Sequence, residues 1–565
     1  MPEQFDSLCL GSPGFFDAGL QALARSEGAA SAWRAAWQRA GAVSADAAVA
    51  MARAADGNFA VALHLPNGQA VMAVDCFAEQ TLCYRVVDSQ LRFAERADAL
   101  ADSGAQVDAQ AVFAYLYHHC IPSPGTVFKD VFRLPPGHCA VFDKGQLTVT
   151  PFWRASFTEP AESRSFEDWK SEFRGLLSAA VSARLDGGVP ACFLSGGTDS
   201  STVAGLIGQV SGRAAHTYSI GFEAEGYDEM TYARIAATHF GCQHHEYYVT
   251  PDDLVQGIAK VAASYDQPFG NSSALPAYYC ALRAREDGVT RMQAGDGGDE
   301  LFGGNTRYAK QRVFDVYQSV PAGLRSALLE PVFLSALVSN TPVLKKGSSY
   351  IRQAKVAMPD RLETYNLLTM LGMDNILTPG FIAQVDLVLP AQQQSEVWSQ
   401  AGTGDIVNRM LAYDWRYTLA ESDLPKVRGT SRLAGMDVAY PMLDRALLDF
   451  SMRLPISYKL KGLKLRWFFK EALRDFLPAP TLTKKKQGFG LPFGVWMMRH
   501  AALHALASDS LASLSTRGIV RPEFIRELID QRMREHAGYY GEMVWILMML
   551  EQWLQQHAPS ARFGA

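Results

Sequence analysis

The spacing of apolar positions along the chain changes character near residue 155. Ahead of that point they fall in short β-like runs. Phe59 to Leu65 and Gln69 to Asp75 are two of these, separated by Pro66, Asn67 and Gly68, which predicts a hairpin. Further strands are expected around Cys83–Val87, Leu91–Ala94 and His138–Phe142, and the alanine-rich stretch before Phe59 reads as helical. Ser156 to Ser165 is polar and lacks periodicity, as a linker does. A helix then opens. Ser165 can cap it, Asp168 suits its positive end, and Phe166, Trp169, Phe173, Leu176, Leu177 and Val181 form one stripe.

From there strands and helices alternate. Strands are expected at Val189–Leu194, Thr217–Phe222, Glu246–Val249 and Arg291–Ala294, with helices at Ser200–Val210, Asp228–Phe240 and Asp252–Tyr265 between them. This rhythm predicts a parallel sheet wrapped by helices. Beyond about residue 310 the pattern is mainly helical. The expected class is therefore α/β: residues 1–155 as a β-rich domain, and residues 156–565 as a parallel-sheet domain with a helical C-terminal part.

Composition narrows the function. At 565 residues the chain exceeds what one core usually serves. A net charge of -5 and a pI near 6.2 give no electrostatic case for a nucleic-acid partner. The opening residues lack a signal-peptide pattern, and the apolar run Met543–Leu550 is too short to span a bilayer. Eight cysteines without a CxxC pair suit a reducing compartment, so a cytoplasmic location without membrane attachment is expected.

Two loops carry chemistry. In FLSGGTDSS, Phe193 to Ser201, a strand ends in a Gly-Gly turn and a helix follows. Such a turn brings backbone N–H groups and a helix N-terminus to a phosphate. Ser195 and Ser201 add hydroxyls, whereas Asp199 would repel phosphate unless a magnesium ion lay between them. In AGDGGDELFGG, Ala294 to Gly304, a second strand-end loop supplies Asp296, Asp299 and Glu300. If both loops leave one sheet edge, Asp199 and Asp299 can hold magnesium against a triphosphate.

SGGTDSS resembles the pyrophosphate loop of the ATP-pyrophosphatase superfamily, and GDGGDELFGG resembles the second signature of its asparagine synthetase branch. The similarity continues through TYSIGFEAEGYDE (217–229), YDQPFGNSSALP (265–276), KVRGTSRLAGMDVAYPMLD (426–444) and KKKQGFGLPFGVW (484–496). It implies a ligase using ATP and Mg2+: a carboxylate becomes an acyl-adenylate, then an amine displaces AMP. It places Ser195, Gly196, Gly197, Asp199, Ser200 and Ser201 around the pyrophosphate and metal, Ser219, Ile220 and Gly221 near the adenine, and Leu194 and Gly295 among the other nucleotide-binding residues. It makes Asp199 and Asp299 metal ligands and gives Asp296 and Lys486 catalytic roles. Lys486 would be the fixed cation that the developing charge needs.

Several positions depart from that family. Position 2 is Pro2, where the family's glutaminase half starts with a nucleophilic cysteine. DGNFAVAL (56–63) and VMAVDCF (71–77) still resemble the framework strands of that Ntn-hydrolase fold, so a degenerate glutaminase domain is expected. Asp296 replaces a usual Glu, Asn271 a common Asp, and Gly429, Arg432 and Ala439 replace residues usually Arg, Met and Arg. Loss of an arginine would remove a partner for a substrate carboxylate. The sequence leaves open a small-molecule or peptide carboxylate, free ammonia or another amine, a separate glutaminase subunit and a homodimer. It also leaves open intramolecular amide formation of the β-lactam synthetase or lasso-peptide cyclase kind, and a non-catalytic ATP-binding module.

Overall fold

The computed structural model describes residues 7–102, 104–160, 163–318, 320–333, 345–484 and 490–564. The β-rich part is built on a five-stranded antiparallel sheet of β1 (Ser7–Gly11), β2 (Phe59–His64), β3 (Ala70–Val74), β4 (His138–Asp143) and β5 (Gln146–Pro151), in that spatial order. The expected hairpin is β2–β3, turning at Pro66–Gly68. Both faces of this sheet are covered, which explains its unbroken apolar runs. Phe59, Val61 and Leu63 pack with Trp33, Trp37 and Met51 of the alanine-rich helices Ala29–Ala40 and Ala45–Ala52. Ala60 and Ala62 pack instead with Tyr84, Leu91 and Phe93 of a second sheet formed by Cys83–Val87, Gln90–Ala94 and Phe132–Arg133. Strand β1 went unforeseen, because Ser7–Gly11 is short and pairs only with β2, fifty residues on in sequence.

The second part holds a five-stranded sheet of β6 (Ala191–Phe193), β7 (His216–Phe222), β8 (Gln243–Val249), β9 (Arg291–Gln293) and β10 (Asp437–Ala439), ordered β8-β7-β6-β9-β10. Every pairing is parallel. The chain therefore builds outward from β6 in one direction, then returns to its other side for β9. Helix α1 (Phe166–Ser182) carries the expected capping box of Ser165 and Asp168. Helices α2 (Thr198–Ser211) and α3 (Met230–Phe240) share its face, where Phe173, Val203 and Ala233 meet in one core. The other face is covered by α4 (Pro251–Ser264), α5 (Ala274–Glu286) and a long helix at Ala537–His557. The run Met543–Leu550 is thus core, and no helix among the described residues is long and apolar enough to cross a membrane.

The two parts are bolted together through Glu421. Its buried carboxylate accepts bonds from Arg133 (2.5 Å), from Ser123 Oγ (2.7 Å) and from Arg416. Helix Leu424–Leu433 follows, and its Arg428 donates to the Glu79 carbonyl and to Thr81 Oγ1 of the β-rich part.

Lys459 tests the energetics of this packing. It is fully buried, with Nζ donating to Asn408 Oδ1 at 2.9 Å. Burial pulls its pKa down from 10.5 to about 7, opposed by Asp405 and Glu159. The unfolded chain then binds more protons than the native one between those values, so stability rises with pH from about 7 to about 10. Lys459→Met should stabilise the protein at pH 7 by about 1–3 kcal/mol and flatten that slope. Urea midpoints at pH 7 and 9.5 decide it, and an unchanged slope counts against the buried-lysine account.

Candidate functional site

Both glycine loops leave the same edge of the parallel sheet. Strand β6 ends at Phe193 and turns through Gly197 into α2, and β9 ends at Gln293 and turns through Gly297 into a short helix at Gly298–Phe302. Cys192 of β6 lies opposite Gln293 of β9, so the loops are neighbours. They flank the point where strand order reverses, which is where open α/β sheets form their ligand crevice. A cavity of about 370 Å³ opens there.

The first loop lies flush on α3. Gly196 has φ 70°, and a Cβ there would stand 2.4 Å from the Ala233 nitrogen. Ser195 and Ser200 are tied together, with the Ser195 N–H donating to Ser200 Oγ at 3.1 Å. Leu194, Ser195, Asp199 and Ser200 line the cavity on this side, and Ser219 and Ile220 of β7 line its floor. Gly196, Gly197 and Gly221 stand outside its lining, Gly221 being packed against the Tyr248 ring. Ser201, expected to offer a hydroxyl, is fully buried in α2 and also stands outside the lining. The second loop contributes Gly295, Asp296, Asp299 and Glu300.

Asp199 and Asp299 meet at Arg466. Its Nη1 donates to Asp199 Oδ2 at 2.8 Å, to Asp299 Oδ1 at 2.7 Å and to Thr198 Oγ1 at 2.8 Å, while Nη2 bonds Asp199 Oδ1. The guanidinium lies 4.1 Å from the Phe469 ring centre and its side chain is 5% exposed. The approach depends on Gly304, since a Cβ there would fall 2.6 Å from Arg466 Cδ and closer still to Asp299. One cation therefore already spans the two carboxylates. Among the described residues no group of three or more His, Cys, Asp or Glu side chains could hold a metal. Two carboxylates fit a magnesium ion that takes its other ligands from phosphate and water.

The cavity's other wall comes from helix Leu424–Leu433 and the residue before it. Lys426 Nζ stands 3.0 Å from Asp423 and 3.9 Å from Asp296. Burial pulls the lysine's pKa down, but Asp423 and Asp296 outweigh it and keep the ammonium charged above its ordinary range. Burial raises Asp296 to about 6, although Lys426 opposes the shift. Sequence reasoning missed Asp423, Lys426 and Arg466 as site residues. Lys426 lay inside a quoted motif, but Asp423 and Arg466 carry no local signal.

Lys486 lies outside the described residues. Lys484, the last residue described ahead of it, is largely buried. Its side chain is 9% exposed, with Nζ 3.0 Å from Glu229 and donating to the Ser195 carbonyl at 3.3 Å. Gly429 has a packing reason: a Cβ there would stand 2.5 Å from Tyr265 Cε1, so the ring fills the space a larger residue would need. Asn271 donates to Ser422 Oγ at 3.2 Å, and Ala439 ends strand β10.

Comparison with known proteins agrees with this architecture. A model of the asparagine synthase family matches residues 172–555, and one of the glutamine amidotransferase domain matches residues 42–153. Asparagine synthetase (glutamine-hydrolysing) 1 of Bacillus subtilis is 22% identical over 488 residues, covering 85% of this chain and 74% of that protein. Asparagine synthetase (glutamine-hydrolysing) 3 of the same organism is 24% identical, covering 65% and 55%. Amidase chyE of Penicillium rubens is 26% identical over 285 residues, covering 47% and 42%.

Asp296 tests the electrostatics of the cavity. Its folded pKa is raised from 3.8 to about 6, so the native state binds the extra proton and stability falls as pH rises between those values. Asp296→Asn removes that charge. It should stabilise the protein by about 1–3 kcal/mol at pH 8 and by much less at pH 4.5. Thermal midpoints at the two pH values measure this, and a variant less stable than the parent at pH 8 contradicts the burial argument.

Proposed function

The chain belongs to the asparagine synthase family, whose members use ATP to amidate a carboxylate, and from that premise we propose an AMP-forming ligase. The observation that carries the proposal is the convergence of the two loops, which puts Asp199 and Asp299 on one Arg466 nitrogen beside the crevice. In this reading residues 156–565 do the chemistry. The α2 N-terminus, Ser195 and Ser200 hold the phosphates, and Leu194, Ser219 and Ile220 receive the adenine. Asp199 and Asp299 hold a magnesium ion, which when bound would offset the triphosphate charge.

A carboxylate oxygen of the substrate attacks the α-phosphorus, the α–β bridge breaks, and pyrophosphate leaves with the bonding electrons. An amine then attacks the acyl carbon, the acyl–phosphate bond breaks and AMP leaves. The proton shed by the amine needs an acceptor. Asp296, with its pKa raised to about 6, is matched to that task at neutral pH. Lys486 is assigned the cation beside the α-phosphorus under attack, an assignment supported by Lys484, whose Nζ already reaches Ser195.

Residues 1–155 are read as a glutaminase-like domain kept as a scaffold. Burial pushes the Cys9 thiol up to about 11, and burial likewise holds the Cys76 thiol protonated despite Arg445 nearby. Neither is an activated nucleophile. Asp296, Glu300 and Asp423 line the cavity with Lys426, and Arg466 bonds the other two lining acids, Asp199 and Asp299.

Asp299→Asn keeps an oxygen for Arg466 but loses the charge. ATP–pyrophosphate exchange, screened with candidate acids, should fall at least a hundredfold while the fold survives. Turnover near that of the parent would remove the metal assignment. Purified protein given glutamine alone should release no stoichiometric glutamate, and its appearance in an amino-acid assay would reverse the scaffold reading.

A further inference from the structure

The position of Arg466 says more than that the carboxylates are close. Resting on the nucleotide reading above, we propose that Arg466 is a cationic placeholder that competes with the divalent ion for Asp199 and Asp299. The guanidinium occupies three of the oxygens an ion would use: both of Asp199 and one of Asp299. It cannot easily withdraw to water, because its side chain is 5% exposed and backed by Phe469. Its backbone is also fixed, with φ 53° in the left-handed region, between the short strand Lys464–Leu465 and the helix that starts at Trp467. Among the described residues its buried Nε has no hydrogen-bond partner, and its carboxylate bonds are all made by the two Nη atoms. Yet Nη1 also reaches Thr198 Oγ1, in the first turn of α2, where the phosphates are proposed to lie.

An ion arriving alone must therefore break the arginine's charge-assisted bonds while leaving a buried guanidinium unpaired. That is costly for a buried cation. An ion arriving with a triphosphate supplies new oxygens for the same guanidinium, a short side-chain movement away. The arginine thus makes metal binding conditional on nucleotide. The occupied state lowers the apparent metal affinity in proportion to the fraction of protein in which the carboxylates are free. By reciprocity it strengthens the mutual support of ion and nucleotide. It also keeps the two acids from repelling one another between turnovers.

The test uses Mn2+ as probe, with free ion counted by electron paramagnetic resonance on the full chain, with and without α,β-methylene ATP. Arg466→Met should bind Mn2+ without nucleotide at least tenfold more tightly than the parent. The enhancement of Mn2+ binding by the analogue should shrink at least tenfold in that variant. Unchanged or weaker Mn2+ binding by folded Arg466→Met overturns the placeholder. Should that variant fail to fold, Arg466→Lys serves, since one ammonium cannot bridge both acids as the fork does. Tighter Mn2+ binding than the parent supports the proposal, and parity overturns it. Asp299→Asn separates the two layers of argument. If it leaves Mn2+ binding with the analogue intact, the metal reading of the cavity fails and the placeholder with it. If it weakens that binding while the arginine variants match the parent, only the placeholder fails.

Discussion

Two carboxylates that approach the same guanidinium nitrogen repel one another by about 4 kcal/mol at the effective dielectric of a part-buried site. The crevice of the parallel-sheet part is arranged around that repulsion. Asp199 arrives from the loop after β6 and Asp299 from the loop after β9, and the glycines between them let both side chains lie flat. Arg466 arrives from a segment 167 residues beyond Asp299 and neutralises both. Glu300 and Asp296 stand in the same wall, the latter beside Lys426.

Helix Leu424–Leu433 links this site to the β-rich part. Toward the cavity it presents Lys426, and toward the other domain Arg428 and Arg432, which bond Glu79, Thr81 and Glu95. Glu421, three residues before the helix, is clamped by Arg133 and Arg416. Removing one partner from such a buried pair is far more damaging than replacing the whole pair. The helix of the second part is therefore built against the β-rich part.

Relatives at 22–26% identity share the plan but need not share the substrate. Two departures from the family pattern have physical consequences. The Tyr265 ring fills the space at Gly429. Asp296 has one methylene less reach than a glutamate, and burial lifts its pKa into the range of a working base. Asp296 lines the cavity, whereas Gly429 stands outside its lining.

The sequence by itself determined the local elements and the two loops. Hairpin β2–β3, the capped helix α1 and the alternation from β6 to β9 all follow from periodicity, turn residues and caps, which act over a few residues. Glycine and carboxylate spacing likewise marked Ser195, Asp199 and Asp299, because a phosphate loop needs its parts within one turn. Tertiary structure alone decided the rest. Strand β10 is three residues long in a helical region and exists because β9 offers it an edge. Arg466 and Asp423 show no local pattern, since their partners are distant in sequence. The inward placement of Ser201 was equally invisible, because the hydroxyl's surroundings depend on how α2 packs. Short-range stereochemistry is written in neighbouring residues, whereas charge pairing and burial are settled only when distant segments meet.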